Sequence, residues 1–240
     1  MRLDIIGSSP AWPNPGGACS GYLVEGRLLL DCGPGVLAKL RERPGTDGWP
    51  DVEAIAITHL HLDHWGDLVP WVWGSLFGPG AEHPKPELRL PPGARAALLP
   101  ILAQLGGEDM LERAFEVDEY ESGRPFELAG LTLTALPVVH YTIPAFGFRV
   151  VGERTLAYSG DTGPCNELLE LAQGADLFLC EATLDDPDSD GPRRGHLSAD
   201  EARAAGGGSG TRRLVLTHRP DERTAPPGIE LAHDGLELSF

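Results

Sequence analysis

Short apolar runs separated by glycine- and proline-rich segments predict a chain rich in β-strands. The strand-like runs cover 3–6, 21–25, 27–31, 54–58, 87–90, 125–139, 145–159, 176–180 and 213–217. Helical spacing covers 35–43, 65–77, 94–105 and 164–173, and the second of these helices is expected to bend near Pro70. Strand-rich halves with interspersed helices predict an α+β fold in which two sheets are sandwiched between outer helices.

One further helix has a defined start and end. Ser198 and Glu201 are spaced as a capping box, and the glycine-rich run 206–210 is expected to end the helix. No repeat of 20–50 residues and no linker interrupts the pattern. We therefore predict a single domain over residues 1–240, a length that can bury a substantial core without disulfides.

The charge balance restricts the classes of partner. Lys and Arg total 19 and Asp and Glu total 36, which gives a net charge of −17. A general binder of long nucleic acids or of anionic membranes normally has a basic face, so both are disfavoured. The four cysteines form no CxxC pair, and no apolar run is long enough for a signal peptide or a membrane span. These features predict a cytoplasmic protein with no membrane association.

The segment 58–64, Thr-His-Leu-His-Leu-Asp-His, has the densest chemistry in the chain. It directly follows the apolar run 54–58, so its polar side chains stand at the end of a buried strand. Imidazole and carboxylate groups are costly to bury without partners, and they are suitable zinc ligands. Four such groups on one short loop cannot all reach one tetrahedral ion. We therefore predict two ions, one facing His59 and His61 and the other facing Asp63 and His64.

Each of these ions would need further ligands from elsewhere in the chain. Three candidates directly follow other strand-like runs: His140, Asp161 and His218. Because strand ends meet at the edge of a sheet, these side chains are expected to join the loop 58–64.

The order of these motifs resembles the metallo-β-lactamase-fold hydrolases over essentially the whole chain. The resemblance implies an αββα sandwich with His59, His61 and His140 on one metal. Asp63, His64 and His218 would bind the other metal, and Asp161 would bridge the two. Asp31, in Asp31-Cys32-Gly33, matches the family's early Asp-x-Gly turn and would support the metal loop.

A further histidine indicates the branch of the family. His196, in Gly195-His196-Leu197-Ser198, resembles the extra histidine of ribonuclease Z-like phosphodiesterases, which acts on the phosphate. The stretches 159–163 and 180–183 also resemble that branch. Ribonuclease Z inserts a long tRNA-binding arm between its downstream His and its bridging Asp, whereas only 21 positions separate His140 from Asp161. The nearest resemblance is therefore to arm-less, class II-like cyclic-nucleotide phosphodiesterases.

Weaker candidates surround this set of ligands. Thr162, Tyr141 and Arg149 are candidates for supporting the ligands or contacting substrate. The tryptophan-rich segment 65–77 would fit the core, a substrate wall or a homodimer interface, and the sequence leaves these open. The acidic segment 185–190 is expected to be a solvated loop. Six arginines against two acids over 191–220 predict a local positive site: Arg193, Arg194, Arg203, Arg212, Arg213 and Arg219, against Asp200 and Glu201.

These features predict a dinuclear phosphodiesterase that hydrolyses a small phosphodiester, such as a cyclic nucleotide, by a metal-bridged hydroxide. Asp63 and His196 are the expected catalytic residues, and two Zn²⁺ ions are the expected cofactors, with Mn²⁺ or Fe²⁺ also compatible. The alternatives are a ribonuclease Z-like RNA endonuclease, a thioesterase or lactonase of the same fold, and a non-catalytic module that binds metal or a partner.

Overall fold

The computed structural model describes residues 1–43, 47–106, 109–224 and 226–240. The strands are β1 (Arg2–Gly7), β2 (Gly21–Val24), β3 (Leu28–Leu30), β4 (Ala54–Ala56), β5 (Glu87–Leu90), β6 (Glu116–Glu119), β7 (Phe126–Leu128), β8 (Leu131–His140), β9 (Ile143–Val151), β10 (Thr155–Tyr158), β11 (Leu177–Glu181), β12 (Leu214–Thr217), β13 (Glu230–Leu231) and β14 (Glu237–Ser239). The helices are α1 (Val36–Arg41), α2 (Leu62–Trp65), α3 (Leu68–Phe77), α4 (Ala94–Gln104), α5 (Met110–Ala114), α6 (Asn166–Ala172) and α7 (Ala199–Ser209).

Two mixed sheets lie face to face. The first has the order β14-β1-β2-β3-β4-β5-β6, and the second has the order β13-β12-β11-β10-β9-β8-β7. Within the first, β3 to β6 are parallel neighbours, and within the second, β10 to β13 are parallel neighbours. The carboxyl ends of parallel strands meet at one edge of a sheet. This topology brings loops from distant parts of the sequence together.

Successive side chains of a strand face opposite sides of the sheet, which explains how the two sheets and the outer helices pack in layers. In β3, Leu28 and Leu30 pack between the two sheets, while Leu29 packs on the outer side against α1 and α3. In β4, Ala54 and Ala56 face the other sheet, while Ile55 faces the helices. A period of two is the geometry of a strand buried on both faces. A third apolar cluster packs α6 and α7 on the outer face of the second sheet. The predicted α+β sandwich of two sheets between outer helices is confirmed.

The structure differs from the sequence prediction at several elements. The predicted helix 65–77 is two helices that break at Gly66 and Asp67 rather than at Pro70. Pro70 is the third residue of α3, where a missing N–H costs no helical hydrogen bond. The helix that follows Ser198 continues through three glycines to Ser209 and ends at Gly210, whose φ is 67°. The sequence pattern does not predict four short elements, which are α5, β6, β13 and β14.

The tryptophan-rich segment is mainly core. Trp65 and Trp71 are buried, whereas Trp73 is 40% exposed and lies beside Phe77 at the surface. The possibility of a homodimer interface there stays a prediction. Among the described residues, no helix combines the length and the apolar character needed to cross a lipid bilayer.

Candidate metal centre

Strand ends from both sheets supply the polar side chains of one buried cluster. His59 lies just after β4, and the helix α2 of the same loop carries Asp63 and His64. In the second sheet, His140 ends β8, Asp161 follows β10, and His218 follows β12. Of these, only Asp63 is as much as 5% exposed. Together with His61, the sheets therefore bring seven predicted ligands together from four separate parts of the chain.

The first group of possible ligands consists of His59, His61 and His140. One ring nitrogen of each histidine lies within 4.8 Å of one ring nitrogen of each of the other two. Nε2 of His140 lies 2.8 Å from Nδ1 of His61, so two ring nitrogens converge on one point. Three imidazoles with an open fourth position are a common arrangement around catalytic zinc.

The second group consists of Asp63, His64, Asp161 and His218, again with ligand atoms within 4.8 Å of one another. Oδ2 of Asp161 lies 3.2 Å from Nε2 of His64 and 3.4 Å from Nε2 of His218. The same oxygen lies 3.9 Å from Nε2 of both His59 and His140 in the first group. Asp161 thus stands between the two groups.

Several of these buried atoms lack a hydrogen bond, although Nε2 of His64 stands 3.2 Å from Oδ2 of Asp161. Nε2 of His59, Nε2 of His64 and Oδ1 of Asp161 make no hydrogen bond within the described residues. An unpaired buried polar atom costs free energy, and buried polar groups normally have partners. A divalent metal accepts both nitrogen and carboxylate donors, so this donor set fits one.

The ring orientation of His64 is set by Asp31. Nδ1 of His64 lies 2.8 Å from Oδ2 of Asp31, so an Nδ1–H donated to that carboxylate leaves Nε2 free as a ligand. Asp31 also accepts hydrogen bonds from the Thr58 N–H at 2.8 Å and the Tyr158 hydroxyl at 2.7 Å. This fully buried carboxylate therefore holds the ring of His64 and the start of the loop 58–64.

Two other histidines are oriented in the same way. Nδ1 of His140 donates to the carbonyl of Gly195 at 2.7 Å, which directs Nε2 to the cluster. Nδ1 of His218 lies 2.9 Å from the hydroxyl of Thr183, whose oxygen is also 3.0 Å from buried Glu181. Such partners of ligating histidines fix the tautomer that a metal requires.

The proton affinities at the centre follow from burial and from neighbouring charges. Burial, reinforced by the charge of His64, lowers the pKa of His59 well below its usual value. Burial also lowers the pKa of His140, to about 4. Both imidazoles therefore stay neutral at pH 7, the form that binds metal. For His64, burial is outweighed by three carboxylates, led by Asp161, and the pKa is raised well above its usual value. Metal binding would release this proton.

His196 is not one of the seven predicted ligands, but its ring lies close enough to form two further groups of possible ligands, one with His140 and Asp161 and one with Glu181 and His218. Its ring centroid is 5.0 Å from that of His140 and 5.6 Å from that of His218. Nδ1 of His196 donates to Oε1 of Glu181 at 2.9 Å. Burial lowers the pKa of His196, but the charge of Glu181 and this hydrogen bond raise it overall, to about 9. The ring is thus a cationic donor with Nε2 available.

The three weaker candidates have different surroundings. Thr162 is buried next to Asp161, and its N–H donates to Glu181 at 2.9 Å. Tyr141 is 40% exposed, and its ring lies next to those of His140 and His196. Arg149 lies six residues along β9 from Ile143, the partner of His140, or about 20 Å along the strand. Its guanidinium donates to the carbonyl of Leu171 in α6, so the prediction that it lies at the site is wrong.

The predicted positive site over 191–220 is largely neutralised. Five of the six arginines pair with carboxylates: Arg194 with Glu201, Arg203 with Asp200, Arg212 with Asp176, Arg213 with Glu230 and Arg219 with Asp185. Three of these acids lie outside 191–220, so the sequence window overstates the local charge. A cavity of about 350 Å³ is lined by parts of the segments 8–17, 219–223 and 231–234, and none of the seven ligands lines it.

Sequence reasoning leaves out several residues that support the site. Glu181 lies within the motif 180–183 but receives no role from the sequence, although it connects Thr162, Thr183 and His196. Its signal is visible in the sequence, because an acid at the end of the apolar run 176–180 requires buried partners. Thr58 and Tyr158 have no comparable signal, since each resembles an ordinary strand residue.

Comparison with known proteins identifies the family. A family model described as "Beta-lactamase superfamily domain" matches residues 26–219. The chain belongs to the beta-lactamase superfamily. The uncharacterized protein Rv1339 of Mycobacterium tuberculosis is 35% identical over 228 residues, which cover 92% of this chain and 81% of the relative. Ribonuclease Z of the same organism is 28% identical over 241 residues, which cover 91% of this chain and 85% of the relative.

Solved structures agree with this assignment. The metallo-β-lactamase fold protein YhfI from Bacillus subtilis superposes with a TM-score of 0.82 at 23% identity, covering 99% of each chain. The short form of human tRNase Z superposes with a TM-score of 0.77 at 26% identity, covering 100% of this chain and 99% of the other. The protein is therefore a metallo-β-lactamase-fold hydrolase related to ribonuclease Z, and the resemblance drawn from its motifs is confirmed.

Proposed function

We propose that this hydrolase is a dinuclear metal-dependent phosphodiesterase that acts on a small phosphodiester, such as a cyclic nucleotide. Zn²⁺ is the proposed metal, with Mn²⁺ or Fe²⁺ as substitutes. His59, His61 and His140 would hold one ion. Asp63, His64 and His218 would hold the other, and Asp161 would contact both.

The position of His196 carries this proposal. Its ring lies between one histidine of each metal group, and its Nδ1–H is held by buried Glu181. Nε2–H of the cationic ring is left to donate to an anionic group above the metals. A thioester or lactone is neutral when it binds and gains negative charge only during the reaction, whereas a phosphodiester is already an anion that a cationic donor can hold.

The chain's own residues have separable roles in such a reaction. Bound metals would lower the pKa of a coordinated water and neutralise charge on the phosphoryl oxygens. Oδ2 of Asp63 lies 3.0 Å from Nε2 of His218. This carboxylate would bind metal and orient a water. His196 would donate a proton or a hydrogen bond to the phosphoryl group or to the leaving oxygen.

The hairpin at His140 supports a small substrate. His140 pairs directly with Ile143, so only two residues form the turn between β8 and β9. The chain then runs through β9 and β10 to Asp161 with no inserted arm. A net charge of −17, with most arginines near the site already paired, also opposes binding along a polyanion.

The test is a substrate panel with the metal-loaded protein. We expect turnover of cyclic AMP or bis-(p-nitrophenyl) phosphate and none of an acyl-thioester or a lactone. Asp161→Ala serves as the control for contaminating hydrolases. Inertness towards both phosphodiesters would contradict the proposal.

A second candidate is RNA cleavage, because ribonuclease Z sequences match 91% of this chain at 28–29% identity. Precursor tRNA should therefore be included in the panel. Specific cleavage of precursor tRNA at a higher kcat/KM than that of cyclic AMP would favour this candidate.

A further inference from the structure

Asp190 differs from the prediction that the acidic segment 185–190 is a solvated loop, because its carboxylate is bonded to other parts of the protein. Asp185 pairs with Arg219, Asp186 caps the 3₁₀ turn Pro187–Asp190, and Asp188 is exposed with no side-chain partner in the described chain. Asp190, at the end of that turn, points instead to the segment that carries His196.

The carboxylate of Asp190 accepts three hydrogen bonds. Oδ2 accepts the N–H of Gly195 at 2.7 Å and the N–H of His196 at 3.1 Å. Oδ1 accepts the hydroxyl of Tyr141 at 2.8 Å. Hydrogen bonds to a charged acceptor are the stronger kind, and two successive backbone donors on one oxygen restrict the path of the loop.

Tyr141, in the turn between β8 and β9, contacts both Asp190 and Gly195. Its backbone has a φ of 49°, a left-handed conformation that turns the chain directly after His140. Its ring lies against Gly195 so closely that a Cβ there would stand 2.4 Å from Cε2 of the ring. The carbonyl of Gly195 meanwhile accepts the Nδ1–H of His140. Gly195 is thus held on both sides, by a metal-ligand histidine and by Asp190.

We propose that Asp190 is a positioning residue which, together with the hydroxyl of Tyr141, holds the Gly195–His196 segment in register above the metal centre. Glu181 fixes the imidazole ring of His196, and Asp190 fixes the backbone that carries it. The proposal rests on the proposed function only for its effect on turnover, since the backbone contacts themselves can be measured without substrate.

Three variants separate geometry from charge. Asp190→Ala removes all three contacts. Asp190→Asn keeps an oxygen for the two N–H groups and presents an amide that can donate to the hydroxyl oxygen of Tyr141, so it should restore most of the function. Asp188→Ala removes an acid of the same turn whose carboxylate has no partner among the described residues, and it is the matched control.

The measurements are hydrogen exchange of the segment 191–198, metal content, melting temperature, and kcat and KM for bis-(p-nitrophenyl) phosphate. For Asp190→Ala we expect exchange of the Gly195 and His196 amides to accelerate at least 10-fold. We also expect kcat to fall about 10-fold while KM stays within two-fold and both metals stay bound. Asp190→Asn should stay within about three-fold of the wild type in kcat, and Asp188→Ala should be unchanged.

Other results would overturn the proposal. Unchanged exchange in Asp190→Ala would remove its basis, whether or not the protein cleaves phosphodiesters. Loss of metal or a fall in kcat shared by Asp188→Ala would show a general structural effect. An Asn variant as impaired as the Ala variant would show that the charge of Asp190, and not its geometry, is what matters. A wild-type protein that is inert to phosphodiesters but shows the exchange effect would contradict the proposed function alone.

Discussion

The two sheets contribute to the metal centre in different ways. The first sheet supplies four candidate ligands from one loop, 59–64, supported by Asp31 at the end of the adjacent strand. The second sheet supplies its ligands one at a time, from the ends of β8, β10 and β12. Each of the second-sheet histidines also has its own partner, the carbonyl of Gly195 or the hydroxyl of Thr183.

The two sheets also differ in the roles that we propose for their side chains in metal binding and in the reaction. The loop 58–64 is contiguous in the sequence and is supported by Asp31 of its own sheet, and its residues His61 and Asp63 also meet His140 and His218 of the second sheet. The second sheet also carries Glu181, which is bonded to His196 beside the candidate ligands. We infer that both sheets hold metal, that Asp63 of the first sheet orients the water, and that His196 of the second sheet acts on the substrate. The variants below test that division.

Asp161→Ala should have the largest effect, because the carboxylate of Asp161 lies between the ligand atoms of the two groups. Its Oδ2 lies within 3.9 Å of four imidazole nitrogens. Removal should lose at least one metal per chain and essentially all turnover. Elemental analysis of the purified variant measures this. Full metal occupancy would show that Asp161 is not a bridging ligand.

His196→Ala should have the next largest effect and a different character. Because His196 is bonded to Glu181 and is not one of the seven proposed ligands, we expect both metals to stay bound while kcat falls roughly 100-fold or more. Steady-state kinetics with parallel metal analysis distinguishes the two effects. If this variant loses metal, His196 belongs with the ligands and the second sheet has no separate catalytic side chain.

The contrast between one contiguous loop and residues brought together by folding also explains which site residues the sequence could predict. The loop 58–64 is contiguous, so its ligands are recognisable without a fold, and the strand-end residues His140, Asp161 and His218 follow from their apolar runs. Asp190 and Thr183 could not be assigned roles, because one decisive partner of each is distant in the sequence: Tyr141 lies 49 positions from Asp190, and His218 lies 35 positions from Thr183. The error at the arginines has the same origin, since Arg213 and Arg219 meet Glu230 and Asp185 through folding.

Among the secondary-structure elements, the missed ones are short or polar. β6 has the sequence Glu-Val-Asp-Glu, and β14 has three residues, so neither has an apolar pattern to recognise. Both lie at an edge of the first sheet, where charged residues oppose pairing with another chain.

Asp31→Asn tests the support of the first-sheet loop and should have an intermediate effect. An amide at this position can donate to Nδ1 of His64, which would favour the tautomer with the proton on Nε2 and so block the ligand atom. We expect metal affinity to fall about 10- to 100-fold. Titration with a competing chelator measures it. Tyr158→Phe is the control, since it removes one donor to Asp31 but leaves the carboxylate on His64; an equal loss in both variants would point to general disruption of the core.

Arg149→Gln should have the smallest effect. This variant tests whether the part of the second sheet that contacts substrate extends along β9 beyond the strand ends. The guanidinium donates to the carbonyl of Leu171 on the helix side of the sheet, about 20 Å along β9 from the hairpin that carries His140. Both kcat and KM should stay within two-fold of the wild type, while the melting temperature falls slightly through loss of one hydrogen bond of about 1 kcal/mol. If the Michaelis constant instead rose by an order of magnitude, Arg149 would have to contact substrate. The catalytic part of the second sheet would then reach beyond its strand ends.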